Sequence, residues 1–203
     1  MRVAIVDYRA GNLRSVAKAL EVAGAEPLVT SDARDIERSD ALVFPGQGAN
    51  DSSMRALKDG GLVNPITDFI DADRPFLGVC LGLQLLMDAS DEGVEPGLGV
   101  IPGRTRRLPV GQKIPHMGWN SVFIHSDHEV LAGVASGSHF YFVHSYYAAP
   151  TVPDVVAGTT EYGVEFCSAV ARRSLVAVQF HPEKSGDLGL DLYRRFVDFA
   201  RRA

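Results

Sequence analysis

Cysteine is scarce: the 203 residues include only Cys80 and Cys167. Two thiols so far apart make no disulfide framework and point to a reducing compartment, the cytoplasm. Positive charge is also short, with 20 Lys and Arg against 25 Asp and Glu and a net charge of −5. That balance argues against nucleic acid or an anionic membrane as the main partner. No apolar run approaches the ~20 residues of a membrane-spanning helix. The opening Met1-Arg2-Val3-Ala4-Ile5-Val6-Asp7 has too short an apolar part for a signal peptide and reads as a strand. His125, His128 and His139 lack a second soft donor at ligand spacing, so no metal site is expected. Gly46-x-Gly48 lacks the remaining glycine of a dinucleotide fingerprint, and no cofactor is expected. Internal repeats and low-complexity segments are absent as well.

What remains is ordinary globular material, 46% hydrophobic and 22% charged, enough for a real core in one domain over residues 1–203. Val3–Val6 reads as a strand and Tyr8–Gly11 as a turn. Asn12 reads as the N-cap of a helix carrying Leu13, Val16, Ala17 and Leu20 at helical spacing, with Gly24 at its C-terminus. Short strands are expected at Pro27–Thr30 and Asp40–Phe44, and helices at Met54–Lys58 and Leu62–Ala72. Alternation of this kind predicts a doubly wound, mostly parallel α/β sheet. After Gly103 short β-rich runs take over, and they predict an antiparallel section added to that sheet. A helix over Leu188–Arg202, with Leu192, Phe196, Val197 and Phe199 as its apolar stripe, closes the chain.

The central stretch is Pro75-Phe76-Leu77-Gly78-Val79-Cys80-Leu81-Gly82-Leu83-Gln84. An apolar strand runs into a turn with Cys80 at its apex, and a helix is expected from Leu81 to about Ala89. Gly78 and Gly82 stand at −2 and +2, the spacing of a nucleophile elbow. N–H groups just after Cys80 would favour a thiolate and could hold an oxyanion. A buried core cysteine is the other reading of the same residues.

A second strand, Val176–Phe180, runs into His181-Pro182-Glu183-Lys184. Proline takes the chain out of the sheet there. An imidazole can take a thiol's proton, and a carboxylate on its other nitrogen fixes the tautomer. Taken singly, His181 also reads as a surface histidine and Glu183 as a solvated charge. Pro45-Gly46-Gln47-Gly48 follows a third strand. It is either an ordinary βα turn or a second oxyanion donor facing the elbow.

Taken together, the elbow Gly78-Val79-Cys80-Leu81-Gly82, the distant His181-Pro182-Glu183 and the Pro45-Gly46-Gln47-Gly48 turn resemble the class I (triad) glutamine amidotransferases, which have a flavodoxin-like fold. Further pieces resemble the branch of that family that serves histidine biosynthesis: Asp7-Tyr8-Arg9-Ala10-Gly11-Asn12-Leu13, Pro115-His116-Met117-Gly118-Trp119-Asn120, Phe142-Val143-His144-Ser145-Tyr146 and Gly158-Thr159-Thr160-Glu161-Tyr162-Gly163.

The resemblance implies that Cys80 attacks the carboxamide of L-glutamine, with His181 as base and Glu183 as its orienter. It implies oxyanion donors at Leu81 and Gly46–Gln47, and substrate contacts at Gln84, Glu92, Ser145 and Tyr146. It also implies a (β/α)8 cyclase partner that receives the ammonia, forming imidazole glycerol phosphate and an aminoimidazole carboxamide ribotide. Asn12, Trp119, Tyr141 and Lys184 would lie at or near that joint. Trp119, in a polar-flanked Gly-Trp-Asn turn, is expected to face outward. The alternatives are the glutaminase of another synthase, such as pyridoxal phosphate synthase, or a cysteine peptidase or chaperone-like protein of similar fold.

Overall fold

The computed structural model describes residues 1–9 and 12–203. Five strands form a parallel half-sheet: β1 (Arg2–Val6), β2 (Glu26–Thr30), β3 (Ala41–Gly46), β4 (Phe76–Cys80) and β12 (Leu175–Val178). They lie in the order β2-β1-β3-β4-β12, and every pairing among them is parallel. The same sheet continues through β11 (Glu165–Arg172), β10 (Val156–Glu161), β7 (His116–Ile124) and β8 (Ser138–His144), all antiparallel to their neighbours. The expected parallel core and its antiparallel addition are thus one continuous sheet. A smaller sheet joins β5 (Met87–Ser90), β6 (Ile101–Arg107) and β9 (Tyr146–Pro150).

Helices cover both faces of the parallel half: α1 (Leu13–Val22), α2 (Ala33–Arg38), α3 (Asn50–Asp59), α4 (Val63–Asp71) and α6 (Gly186–Ala200). β3 and β4 are buried along their whole length because they are covered on both sides. Two apolar layers result. One joins Val3, Ile5 and Leu77 to Phe140, Phe180, Tyr193 and Phe196. The other joins Ala4, Leu42, Phe44 and Phe76 to Ile66, Phe69, Leu83 and Leu86. Apolar contact is the main term in such layers, at roughly 25 cal/mol per Å² removed from water.

Three local expectations are corrected. The helix after Cys80 is one turn, α5 (Leu81–Gln84), and does not reach Ala89. Leu98 N–H bonds the Leu85 carbonyl and Ile101 N–H the Leu86 carbonyl, so the chain turns into the small sheet instead. Trp119 lies within β7, not in a turn. Asn12 does occupy the N-cap position, with Ser15 and Val16 N–H on its carbonyl. Its side chain, however, makes no capping bond. Its φ of 58° is left-handed, a conformation asparagine tolerates. The Tyr8–Gly11 turn expected from the sequence lies partly outside the described residues. At the other end of α1, Gly24 has φ 85°, and Ala25 N–H bonds the Leu20 carbonyl. That is the glycine-dependent helix ending the sequence predicts.

Candidate active site

β3, β4 and β12 are neighbours, and each ends at the same edge of the sheet. Cys80 ends β4 and is in register with Gly46 at the end of β3. His181 follows three residues after Val178. Three segments far apart in sequence therefore meet at the carboxyl ends of adjacent parallel strands, where open α/β sheets bind ligands.

The elbow is strained. Cys80 has φ 55° and ψ −109°, which costs about 1–3 kcal/mol for a residue with a Cβ. Packing around the two flanking glycines holds it there. A Cβ on Gly78 would come within 2.7 Å of the Ala177 Cβ. One on Gly82 would collide with the Phe44 carbonyl oxygen, and one on Gly46 with the Tyr8 hydroxyl. The G-x-C-x-G spacing is thus a packing requirement as well as a turn requirement.

His181 Nδ1 lies 2.8 Å from Glu183 Oε1. Both side chains are almost fully buried, 2% and 1% exposed. The carboxylate takes the Nδ1 proton as a hydrogen bond, so neutral His181 presents a bare Nε2. That nitrogen is buried without a hydrogen bond, close enough to Cys80 to feel the sulfur's charge. Once the Cys80 proton has passed to Nε2, burial pulls the imidazolium down, but the charged sulfur and the Glu183 carboxylate outweigh it and raise its pKa to about 10, so the imidazolium is the favoured form beside that sulfur. Burial likewise pushes the Glu183 carboxyl up, yet His181, together with the Asn12 amide, holds it below its usual range. Asn12 Nδ2 donates to Glu183 Oε1 at 2.9 Å.

A cavity of about 380 Å³ opens beside Cys80 and His181, lined also by Gln47, Gln84, Glu92, Ser145, Tyr146 and Lys184. Leu81 lines it too, directly after the cysteine. Every residue expected at the substrate is there except Gly46, which is buried behind Gln47. Their bonds refine the picture. Gln84 Nε2 gives its protons to the Tyr146 carbonyl at 2.8 Å and to Gln179 Oε1 at 3.0 Å, so its donors are spent on the protein. The Ser145 carbonyl accepts from Leu108 N–H. Glu92 Oε2 accepts from Asn50 N–H at 2.8 Å, at the start of α3.

Of the four residues expected at a partner joint, Lys184 lines this cavity. The Trp119 and Tyr141 rings meet edge-on at 6.2 Å, and Lys184 Nζ lies 5.9 Å from the Tyr141 ring centre. Asn12 is tied to the triad carboxylate. Trp119 is 55% exposed, with Met117 and Phe123 also exposed on the same face of β7.

Some residues of the site escape a sequence reading. Gln179 donates to the Cys80 sulfur at 3.5 Å. The Tyr8 hydroxyl donates to the Pro45 carbonyl at 3.0 Å and so braces the Gly46 turn. Burial, then the charge of Cys80, holds that phenol well above its usual pKa. Tyr8 stands inside a quoted motif, but nothing in its residue type says that its hydroxyl points at Pro45. Cys167 is a buried strand residue whose thiol burial pushes up to about 12. Among the described residues no cluster of His, Cys, Asp or Glu is placed to hold a metal, and no helix is long and apolar enough to cross a membrane.

The sequence model of the family described as Glutamine amidotransferase class-I matches residues 4–198. The chain is 51% identical over 201 residues to the imidazole glycerol phosphate synthase subunit HisH of Methanothermobacter thermautotrophicus, covering 98% of this chain and 99% of that protein. It is 50% identical over 198 residues to the protein of the same description in Rhodopirellula baltica, covering 96% of each. Among solved structures it resembles PurLQS from Thermotoga maritima, with TM-score 0.76, 16% identity and 98% of each chain covered. A crystal structure described as glutamine amidotransferase matches with TM-score 0.75, 20% identity and 98% of each chain. At those identities the two structures speak for the fold alone.

Proposed function

The chain belongs to the class I glutamine amidotransferases, and from that premise we propose that it is the glutaminase subunit of an imidazole glycerol phosphate synthase in histidine biosynthesis. The observation that carries this is Cys80 and His181 at the wall of one cavity, with Glu183 bonded to the far side of the imidazole. Relatives at about half identity over nearly the whole chain supply the reaction.

The chemistry follows from the geometry. His181 Nε2 takes the Cys80 proton, and the sulfur attacks the carboxamide carbon of L-glutamine. The oxyanion that forms is held by N–H groups at Leu81 and in the Gly46–Gln47 turn. One such donor is worth roughly 100- to 1,000-fold in rate. The C–N bond breaks as the imidazolium returns its proton to the leaving nitrogen, which departs as ammonia. Water, activated by the same imidazole, then cleaves the thioester to glutamate and frees Cys80. Glu183 stays ionised throughout and fixes the imidazole's tautomer. Glu92 serves the substrate's α-ammonium, and the backbone of Ser145 and Tyr146 flanks the ligand.

Ammonia released into water is protonated and lost, so the product must pass directly to a second site. A (β/α)8 cyclase docked over Trp119, Tyr141 and Lys184 would receive it at the mouth of the cavity. The test is glutamate release with and without that cyclase and its nucleotide ligand. Turnover that depends on the partner supports the reading. Fast turnover by the chain alone counts against a tunnelled product.

A further inference from the structure

Two histidines outside the triad, His116 on β7 and His144 at the end of β8, are buried against each other at 3% and 6% exposure. His144 Nδ1 lies 2.8 Å from the Tyr146 carbonyl oxygen, which can only accept, so Nδ1 carries the proton. His144 Nε2 lies 2.9 Å from His116 Nδ1. In a neutral His144 that Nε2 is bare, and His116 Nδ1 must donate to it. His116 Nε2 is then bare in turn and faces Asn120 Nδ2 at 3.3 Å. The Asn120 amide is oriented independently: Nδ2 also donates to the Glu161 carbonyl at 2.9 Å, and Oδ1 accepts from Ser121 N–H at 2.8 Å. The line therefore has one consistent proton assignment, running from Asn120 through His116 and His144 to Tyr146.

Both ends matter. The Tyr146 carbonyl also accepts from Gln84 Nε2, which reaches on to Gln179, whose own amide donates to Cys80. Asn120 sits next to Trp119 on the strand that carries the exposed Met117–Trp119–Phe123 face. The ring of His116 is clamped between Tyr162, at 3.9 Å, and Phe142, at 4.9 Å. An imidazole stacked on both sides cannot rotate freely, so a shift of β7 is carried into the hydrogen-bonded line.

We propose that His116 and His144 are positioning residues for the glutamine pocket, a pair locked in their Nδ1-protonated tautomers that ties the backbone at Tyr146 to the β7 face bearing Trp119. The proposal rests on the glutaminase reading for what the pocket holds. The tautomers themselves do not depend on it. His144 also lines the cavity, but its Nδ1 is spent on the Tyr146 carbonyl and its Nε2 on His116, so it acts on the pocket through the backbone it holds.

Replacement of His116 by Phe keeps the aromatic stack and removes the proton given to His144. Replacement by Gln keeps a donor. The experiment pairs nitrogen-15 NMR of the histidine rings with glutamine kinetics of the complex with the cyclase and its nucleotide ligand. In the wild type both rings should show a protonated Nδ1 and a bare Nε2. His116→Phe should leave His144 Nδ1 protonated on the Tyr146 carbonyl but shift the resonance of its Nε2, which loses its donor, and raise the KM for glutamine about tenfold, with kcat changed less than threefold. His116→Gln should restore most of the KM. If His116→Phe is poorly folded, Asn120→Ala gives the readout instead, with the His116 Nε2 resonance shifted by the loss of its donor and the KM for glutamine raised. An Nε2-protonated His144 in the wild type would overturn the proposal, as would a KM that His116→Phe leaves unchanged. A wild-type complex with no glutamine turnover would instead sink the glutaminase reading, and the ring tautomers would still decide the proposal.

Discussion

The side-chain amide of Asn12 donates to Glu183 Oε1 across 171 residues of sequence, and the same oxygen accepts the His181 Nδ1 proton. The first residue of the α1 cap and the carboxylate behind the catalytic imidazole are thus one hydrogen-bonded unit. It frees Asn12 from capping and gives Glu183 a second reason to stay ionised.

Asn12→Ala removes one of the groups holding the Glu183 carboxyl low. A lowered carboxyl pKa contributes stability above its unfolded value and loses it as pH falls through the folded one. Without Asn12 the folded pKa rises, so the carboxylate contributes less stability and what it does contribute is fully lost at a higher pH. The acid limb of the glutaminase pH profile should move up, and kcat should fall several-fold with KM little changed. Loss of a hydrogen bond to a charged group should also cost about 1.5–3 kcal/mol in denaturant unfolding.

Gly82→Ala would drive a methyl group into the Phe44 carbonyl. Backbone cannot yield as a flexible side chain can, so β3 and the elbow must part. Stability should fall by about 3 kcal/mol or more and glutaminase activity by over 100-fold, read by thermal melting and glutamate release.

His116 and His144 make the fold sensitive to mild acid. Burial lowers their pKa values to about 4 and about 3; for His144 the Tyr146 carbonyl opposes this, while His116 and His181 add to it. Phe142, Phe166 and Tyr162 are the other groups against them, and none supplies a countercharge. The unfolded chain binds more protons below about pH 6.5, so stability falls as pH drops from there. By pH 5 the loss should reach up to about 2 kcal/mol for each histidine, and replacing one by Gln should flatten the dependence measured by chemical denaturation.

Much of the site is legible in the sequence because its spacing is dictated by sterics. Cys80, Gly78 and Gly82 stand as they do because a Cβ at either glycine would meet a neighbour. His181 and Glu183 are readable because a Pro after a strand places the two side chains just beyond the sheet. The parallel half of the sheet is legible for a similar reason, since strands buried on both faces read as continuous apolar runs. The roles of Asn12, Gln179, Tyr8 and His144 are not legible, since each depends on a partner brought near only by the fold. The early end of α5 is hidden as well. Leu85 and Leu86 suit a helix, and only their carbonyls' bonds to Leu98 and Ile101 end it.

Trp119 is the exposed anchor of the proposed joint. Trp119→Ala should leave the melting temperature of the isolated chain nearly unchanged and weaken cyclase binding by at least about 2 kcal/mol, some 30-fold in Kd by calorimetry.

Glutamate release by the wild type and by Cys80→Ala, each with and without the (β/α)8 cyclase and its nucleotide ligand, tests the central claim most directly. The wild type should turn over glutamine in the liganded complex and only slowly alone. Cys80→Ala should release none, while its complex still forms imidazole glycerol phosphate from added ammonia. Glutamate release by Cys80→Ala, or wild-type turnover indifferent to the cyclase, would contradict it.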